Sequence, residues 1–224
     1  MDLPSDSQHP IASIIVTLTG VAYFSLWSYS FYPQVILNYR RKTTSGFSPD
    51  FSYVNPTGFL ALSIWNWTIF FSPLARQQYA TRHNGHLPQV SPWDIAFSTH
   101  ALFLSLIVLL QVLWYARKHR LASWTKPSII ARTAIILIFV SAFLTGCMVW
   151  IGKLEFLDWL YWISTIKLII STLKYIPQVI LNWKVKSVEG FAIGAIICDV
   201  SGSILSFAQL VISSIWIEGD PSGI

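Results

Sequence analysis

Lys167, Lys174, Gln178 and Asn182 are spaced seven, four and four residues apart in a run that is otherwise apolar. At 3.6 residues per helical turn this spacing puts all four on one face. Two ammonium groups in such a stripe can hold carboxylates as point charges. Two amides beside them can donate or accept hydrogen bonds. Asp199, in a later apolar run, supplies the opposite charge. A charge near a bilayer centre costs about 2.5–3.5 kcal/mol, so three unpaired charges would cost about 8–10 kcal/mol. That equals the whole stability of many domains. Lys167, Lys174 and Asp199 must therefore face a helix-bundle interior, water or each other. A Lys–Asp pair stitching two helices is the plainer reading. Two lysines against one deep aspartate leave a positive surplus, however, and that surplus suits an anionic group on a ligand.

A related stripe lies near the N-terminus, where Trp27, Phe31, Gln34 and Asn38 follow a similar course. The two stripes end in FYPQVILNYR (residues 31–40) and YIPQVILNWK (residues 175–184), so PQVILN recurs at an offset of 144. The offset continues: Lys42 falls on Lys186, Gly46 on Gly190, Phe47 on Phe191, Asn55 on Asp199 and Gly58 on Gly202. Each repeat reads as a helix, a basic turn and a returning helix. Both run in the same sense, which is a parallel-repeat carrier arrangement. Pro33 and Pro177 cannot donate a backbone hydrogen bond, which leaves the carbonyls of Tyr29 and Leu173 to find other partners. A paired kink at equivalent places is expected to act as a hinge.

The elements that position these residues are membrane spans. The chain has 224 residues, 54% hydrophobic and 11% charged, whereas soluble domains carry about 25% charged residues. Residues 11–39, 51–75 and 133–152 contain no charge at all. A span needs about 20 apolar residues, and six are expected near 11–39, 52–74, 95–116, 133–152, 158–183 and 191–217. The fold class is thus an all-α membrane protein. A net charge of +5 would fit nucleic acid, but its distribution argues against that partner. Ten basic residues follow spans one, three and five, and only Arg76, Arg82 and Lys153 lie in the opposite connections. The positive-inside rule then puts the former loops in the cytoplasm and the N-terminus in the lumen. With Asp2 and Asp6 and no basic residue before span one, that span is expected to insert as its own signal.

The remaining candidates weigh less. Asp94 opens span three, where an acid favours the helix dipole, and His100 lies about two turns deeper. Asp50 starts span two as a helix cap. Cys147 and Cys198 read as small hydrophobes. His83 and His86 are spaced for a metal but sit alone in a loop, and Asn66 lies in a sequon within a span. No phosphate loop, metal-ligand cluster or nucleophile–base pair is present, so neither a catalytic residue nor a cofactor is expected.

The segments SFYPQVILNYRRKTTSGFSPDF, VNPTGF, SPWDIAFSTHALFLSLIVLLQ and YWISTIKLIISTLKYIPQVILNWKVKSVEGFAIG resemble the PQ-loop transporters and, within them, the cystinosin family. The resemblance runs from about residue 20 to the GDP at 219–221. It implies a SWEET-like fold of two parallel three-helix bundles joined by a linker helix: residues 1–116, then a loop and linker over 117–152, then a second bundle over 153–224. The family has seven spans, so six here imply that the last bundle shows two of its three helices, as in a natural short form or an incomplete stretch of a longer chain. The family's activity is proton-coupled export of cystine from the lysosome or vacuole. By motif, Trp27, Phe31, Asn55, Lys167, Lys174, Tyr175, Gln178 and Asp199 look like pocket residues, with Gln34, Asn38 and Asn182 added from the stripes. Asp94 and Asp199 look like proton-linked acids. One departure is Ala195, where the family's pocket often has Asn. A carrier of cationic amino acids, or a membrane protein that does not transport, are the alternatives. Cystine, protons and lipid are the expected partners.

Overall fold

The structure is a computed structural model that describes residues 10–88, 90, 92–119, 126–212 and 215. Asp2, Asp6, Arg120 and the GDP of 219–221 lie outside the described residues. Among the described residues the elements are α-helices, with no strand.

Helix α1 (Pro10–Ser30) is interrupted at Phe31, and α2 (Tyr32–Arg41) takes Pro33 into its first turn. The same break recurs between α7 (Phe156–Leu173) and α8 (Ile176–Val185), with Pro177 at the second position of α8. Proline fits the first turn of a helix because its missing N–H has no partner there. The chain ends one helix and starts another around the proline, keeping runs of 28 residues (Ile14–Arg41) and 30 residues (Phe156–Val185) that are long enough to cross a bilayer.

The returning helix α3 (Pro49–Phe71) is capped by Ser48, whose side chain accepts from the Phe51 amide. It ends at Ser72, and α4 (Pro73–Arg82) leaves at 88°. The expected span over 52–74 thus stops three residues early. Ser72 closes one helix with its amide and caps the next with its hydroxyl, and Pro73 cannot continue α3. Helices α5 (Pro92–Lys118), α6 (Ile129–Trp150) and α9 (Ile193–Ile212) complete the set. Among the described residues five runs are long and apolar enough to span, and the bent α3–α4 pair, taken as one span, brings the number to six. The protein is a multi-pass membrane protein.

The described chain forms two compact units. One contains α1, the chain to Gln34 and the chain from Ala192, with α1 packed along α9. A Cβ on Gly202 would strike the Trp27 indole, so the absent side chain permits that approach. The other unit spans Val35–Phe191, with α3 packed against both α5 and α7. There Gly58 meets the Ile170 side chain, which belongs to a buried cluster with Ala61, Ile163 and Ile166. Helix α6 attaches to α7 through small residues: the Trp159 and Trp162 indoles donate to Ala142 O at 2.9 Å and Ser141 Oγ at 3.1 Å. Its other face is apolar and exposed, and Cys147 lies exposed on this helix rather than buried.

Within each unit, a helix of one sequence repeat pairs with a helix of the other. Gly58 and Gly202, 144 positions apart, mark equivalent crossings.

Candidate functional site

In the Val35–Phe191 unit, α3 faces α7 with Asn55 and Phe59 one turn apart. Both are buried, at 8% and 4% exposure. The Lys167 ammonium lies 3.9 Å from the centre of the Phe59 ring. The Lys174 ammonium lies 5.6 Å from the same ring and 4.8 Å from that of Tyr175. Lys174, in the break between α7 and α8, is itself 8% exposed. The two lysines therefore converge on one aromatic ring from two helical turns apart. Cation–π contact holds a charge without cancelling it. Asn55 Oδ1 is buried and has no hydrogen-bond partner among the described residues. Such an orphan costs about 1–3 kcal/mol.

Below this cradle, Tyr175 tilts against Phe51 at 5.5 Å, and Phe51 meets Phe47 and Phe191 edge-on at 5.4 and 6.1 Å. Phe47 and Phe191, repeat equivalents, stack at 6.1 Å. The basic turns that carry them touch backbone to backbone. Gly46 (φ +88°) and Gly190 (φ +95°) adopt the left-handed region, and a Cβ on either would collide with the other turn's carbonyl, that of Glu189 or Ser45. Only glycine meets both demands. Arg41 closes the turns, donating to Ser45 O at 3.0 Å and pairing with Glu189 at 3.0 Å.

Gln178 is 1% exposed and engages at both ends of its amide. Its Oε1 accepts from the Ser48 amide at 2.7 Å, and its Nε2 donates to Gly46 O at 2.9 Å and Asn182 Oδ1 at 2.8 Å. The glutamine of one repeat thus holds the turn of the other. In the first unit Gln34 does the equivalent, its Oε1 accepting from the Ala192 amide at 2.9 Å. Ser48 and Ala192 are 144 residues apart. Asn38, 1% exposed, donates to Gln111 Oε1 at 2.9 Å, and Gln111 Nε2 donates to Val35 O at 3.0 Å.

Trp27 and Asp199 meet in the first unit, where the indole donates to the Asp199 backbone carbonyl at 3.1 Å. That carbonyl also accepts from Ser203 Oγ at 2.8 Å. Phe31 occupies the α1–α2 break. Asp94 sits in the first turn of α5, its carbonyl accepting from buried Asn66 at 2.9 Å. Asp50 reaches away from its own helix, accepting from the amide of Ser128, the N-cap of α6, at 2.6 Å.

At the other end of α3, Arg82 on α4 bridges Glu155 and Asp158, with 2.6 Å contacts to each. Those hydrogen bonds, Asp158's first, keep the guanidinium charged beyond its ordinary range. Gln78 adds a bond from the Leu157 amide at 2.9 Å. No cluster of metal-ligating side chains occurs among the described residues. Sequence reasoning passed over Phe59, Gln111 and the Arg41–Glu189 pair. A phenylalanine in an apolar run carries no signal, and the ion pair joins residues 148 positions apart.

The family described as the PQ loop repeat matches residues 15–75 and 159–218. The cystinosin of Bos taurus is 36% identical over 218 residues, which cover 95% of this chain and 58% of that protein. A cystinosin homolog of Dictyostelium discoideum is 37% identical over 218 residues, covering 93% of this chain and 74% of its own. A cystine transporter of Saccharomyces cerevisiae is 28% identical over 212 residues, covering 87% and 77%. The chain therefore spans less than two thirds of the bovine relative's length.

Proposed function

Because the chain belongs to the PQ-loop repeat family and, within it, to the cystinosin branch, we propose that it carries cystine together with protons. Movement would run from the lumen of a lysosome or vacuole to the cytosol by alternating access. The single observation that carries this reading is the cradle of α3 and α7. A buried, unpartnered Asn55 oxygen stands one turn from a ring shared by Lys167 and Lys174. Cystine presents two carboxylates and two ammonium groups. The lysines take carboxylates, and Asn55 Oδ1 accepts from an ammonium. Asp94 and Asp199 serve as the proton-linked acids. An acid protonated on the acidic side and deprotonated in the cytosol would couple the two fluxes.

The cytosolic gate in this proposal is the closed pair of basic turns, with Phe47 and Phe191 as its plug and Gln178 and Arg41 as its ties. Pro33 and Pro177 are the hinges on which it opens. The moving bodies are the two bundles, 1–116 and 153–224, with 117–152 as linker.

The test is uptake of labelled cystine into proteoliposomes under an inward acid gradient. Cystine uptake that collapses with the gradient supports the reading. Uptake of arginine or lysine in place of cystine would move the assignment to a cationic amino-acid carrier, an outcome that Lys167 and Lys174 disfavour by repulsion. No uptake of either would leave a membrane protein that does not transport.

A further inference from the structure

We propose that Phe59 is a positioning residue that aims Lys167 and Lys174 for carboxylates, an inference that rests on the transport reading above. The ring centre lies 3.9 Å from one ammonium and 5.6 Å from the other, so the two charges stand no more than 9.5 Å apart, the sum of those distances. Two like charges so close, one buried and one half-buried, repel each other. Lys167 leaves α7 and Lys174 leaves the break just after it, seven residues on and about 10.5 Å along the axis, yet both reach one side chain.

The chemistry of that side chain decides what the lysines can do. A carboxylate there would bind the ammonium groups as full ion pairs and compete with the substrate. A leucine would supply bulk but no π-face for the ammonium groups to rest on. A phenyl ring offers the negative face of its quadrupole, an attraction weak enough for a substrate carboxylate to add to it. The ring is itself fixed. It is 4% exposed, and the neighbouring Gly58 packs its backbone on Ile170 of α7, between Lys167 on that helix and Lys174 just after its end. The rigid crossing of α3 on α7 thus sets the ring-to-ammonium distances, and Asn55 follows one turn away on the same face.

The experiment replaces Phe59 with mono-, di- and trifluorophenylalanine and with leucine in the full chain, reconstituted in liposomes. Each fluorine drains the ring face while leaving its shape nearly unchanged. The KM for labelled cystine should rise stepwise with fluorine number. Phe59→Leu should raise it about five- to thirtyfold, the equivalent of about 1–2 kcal/mol, with kcat within about twofold of wild type. A ring that acted by packing alone would give a flat fluorine series, and a flat or falling KM overturns the proposal. A second readout needs no substrate: mass spectrometry of Lys167 and Lys174 after brief exposure to a small amine-acylating reagent. Labelling should grow with each fluorine, because a side chain held less firmly on the ring face reaches the reagent more often. Labelling unchanged across the series overturns the proposal whatever the uptake shows. Graded labelling without any wild-type cystine uptake would uphold the role of the ring and discard cystine as the substrate.

Discussion

The Gln178→Met variant tests the reach of one side chain across the chain. Methionine fills nearly the same volume without the amide. Three hydrogen bonds disappear: 2.7 Å from the Ser48 amide, 2.9 Å to Gly46 O and 2.8 Å to Asn182 Oδ1. Asn182 is only half-buried, so water can satisfy it at little cost. Ser48 is 3% exposed, and its amide would be left without an acceptor. Gly46 O is half-buried like Asn182, so water can satisfy it too. At about 1–3 kcal/mol for the one buried orphan, less the gain from burying an apolar thioether, the turn should loosen by about 1.5 kcal/mol. Hydrogen exchange read by mass spectrometry on peptides covering residues 44–50 is the direct assay. The Ser48 amide should exchange about tenfold faster, since about 1.4 kcal/mol is a factor of ten. Peptides from α5 should keep their protection. Exchange at 44–50 equal to wild type, in a protein with the same melting temperature, would refute the idea that this glutamine ties the turn.

Gly190→Ala should cost more than 2 kcal/mol, because its φ of +95° and its contact with the Ser45 carbonyl both exclude a Cβ. A melting temperature within about 2 °C of wild type would contradict it. Lys174→Ala should abolish cystine uptake while surface expression and insertion stay intact, and uptake at the wild-type rate would remove its carboxylate role. Asp199→Asn should leave cystine exchange between equal pH compartments but lose its acceleration by an acid lumen, and an unchanged pH response would exclude this acid from coupling. Arg82→Gln removes the bridge from α4 to Glu155 and Asp158. Because the groups are partly exposed, the cost should be about 1 kcal/mol, seen as a melting temperature lower by about 2–4 °C.

Much of the architecture was legible because lipid leaves few choices. Uncharged runs of 20 or more residues must be spanning helices. The prolines at 33 and 177 predict where two of those helices break, and α2 and α8 do begin around them. The break after Phe71 was harder to read. Ser72-Pro73 sits at the end of an apolar run, and the sequence does not reveal that α4 turns away by 88°. Asp50 shows the limit of local rules: its place in the first turn of α3 predicts a cap for that helix, yet its carboxylate accepts from the amide of Ser128, the residue that caps α6.

The order of residues alone determined the spans, the doubled PQVILN motif and the stripe of lysines and amides, since these follow from helical periodicity and from the cost of charge in hydrocarbon. It also marked Gln34 and Gln178 as a pair. Only the tertiary structure decided what that pair holds: each glutamine accepts from the backbone of the opposite repeat's turn, at Ala192 and Ser48. It likewise decided that Lys167 and Lys174 share the Phe59 ring. The physical reason is reach. Periodicity is written in neighbours three or four residues apart, whereas these contacts join residues more than a hundred positions apart, brought together by helix crossings that small residues such as Gly58 and Gly202 permit.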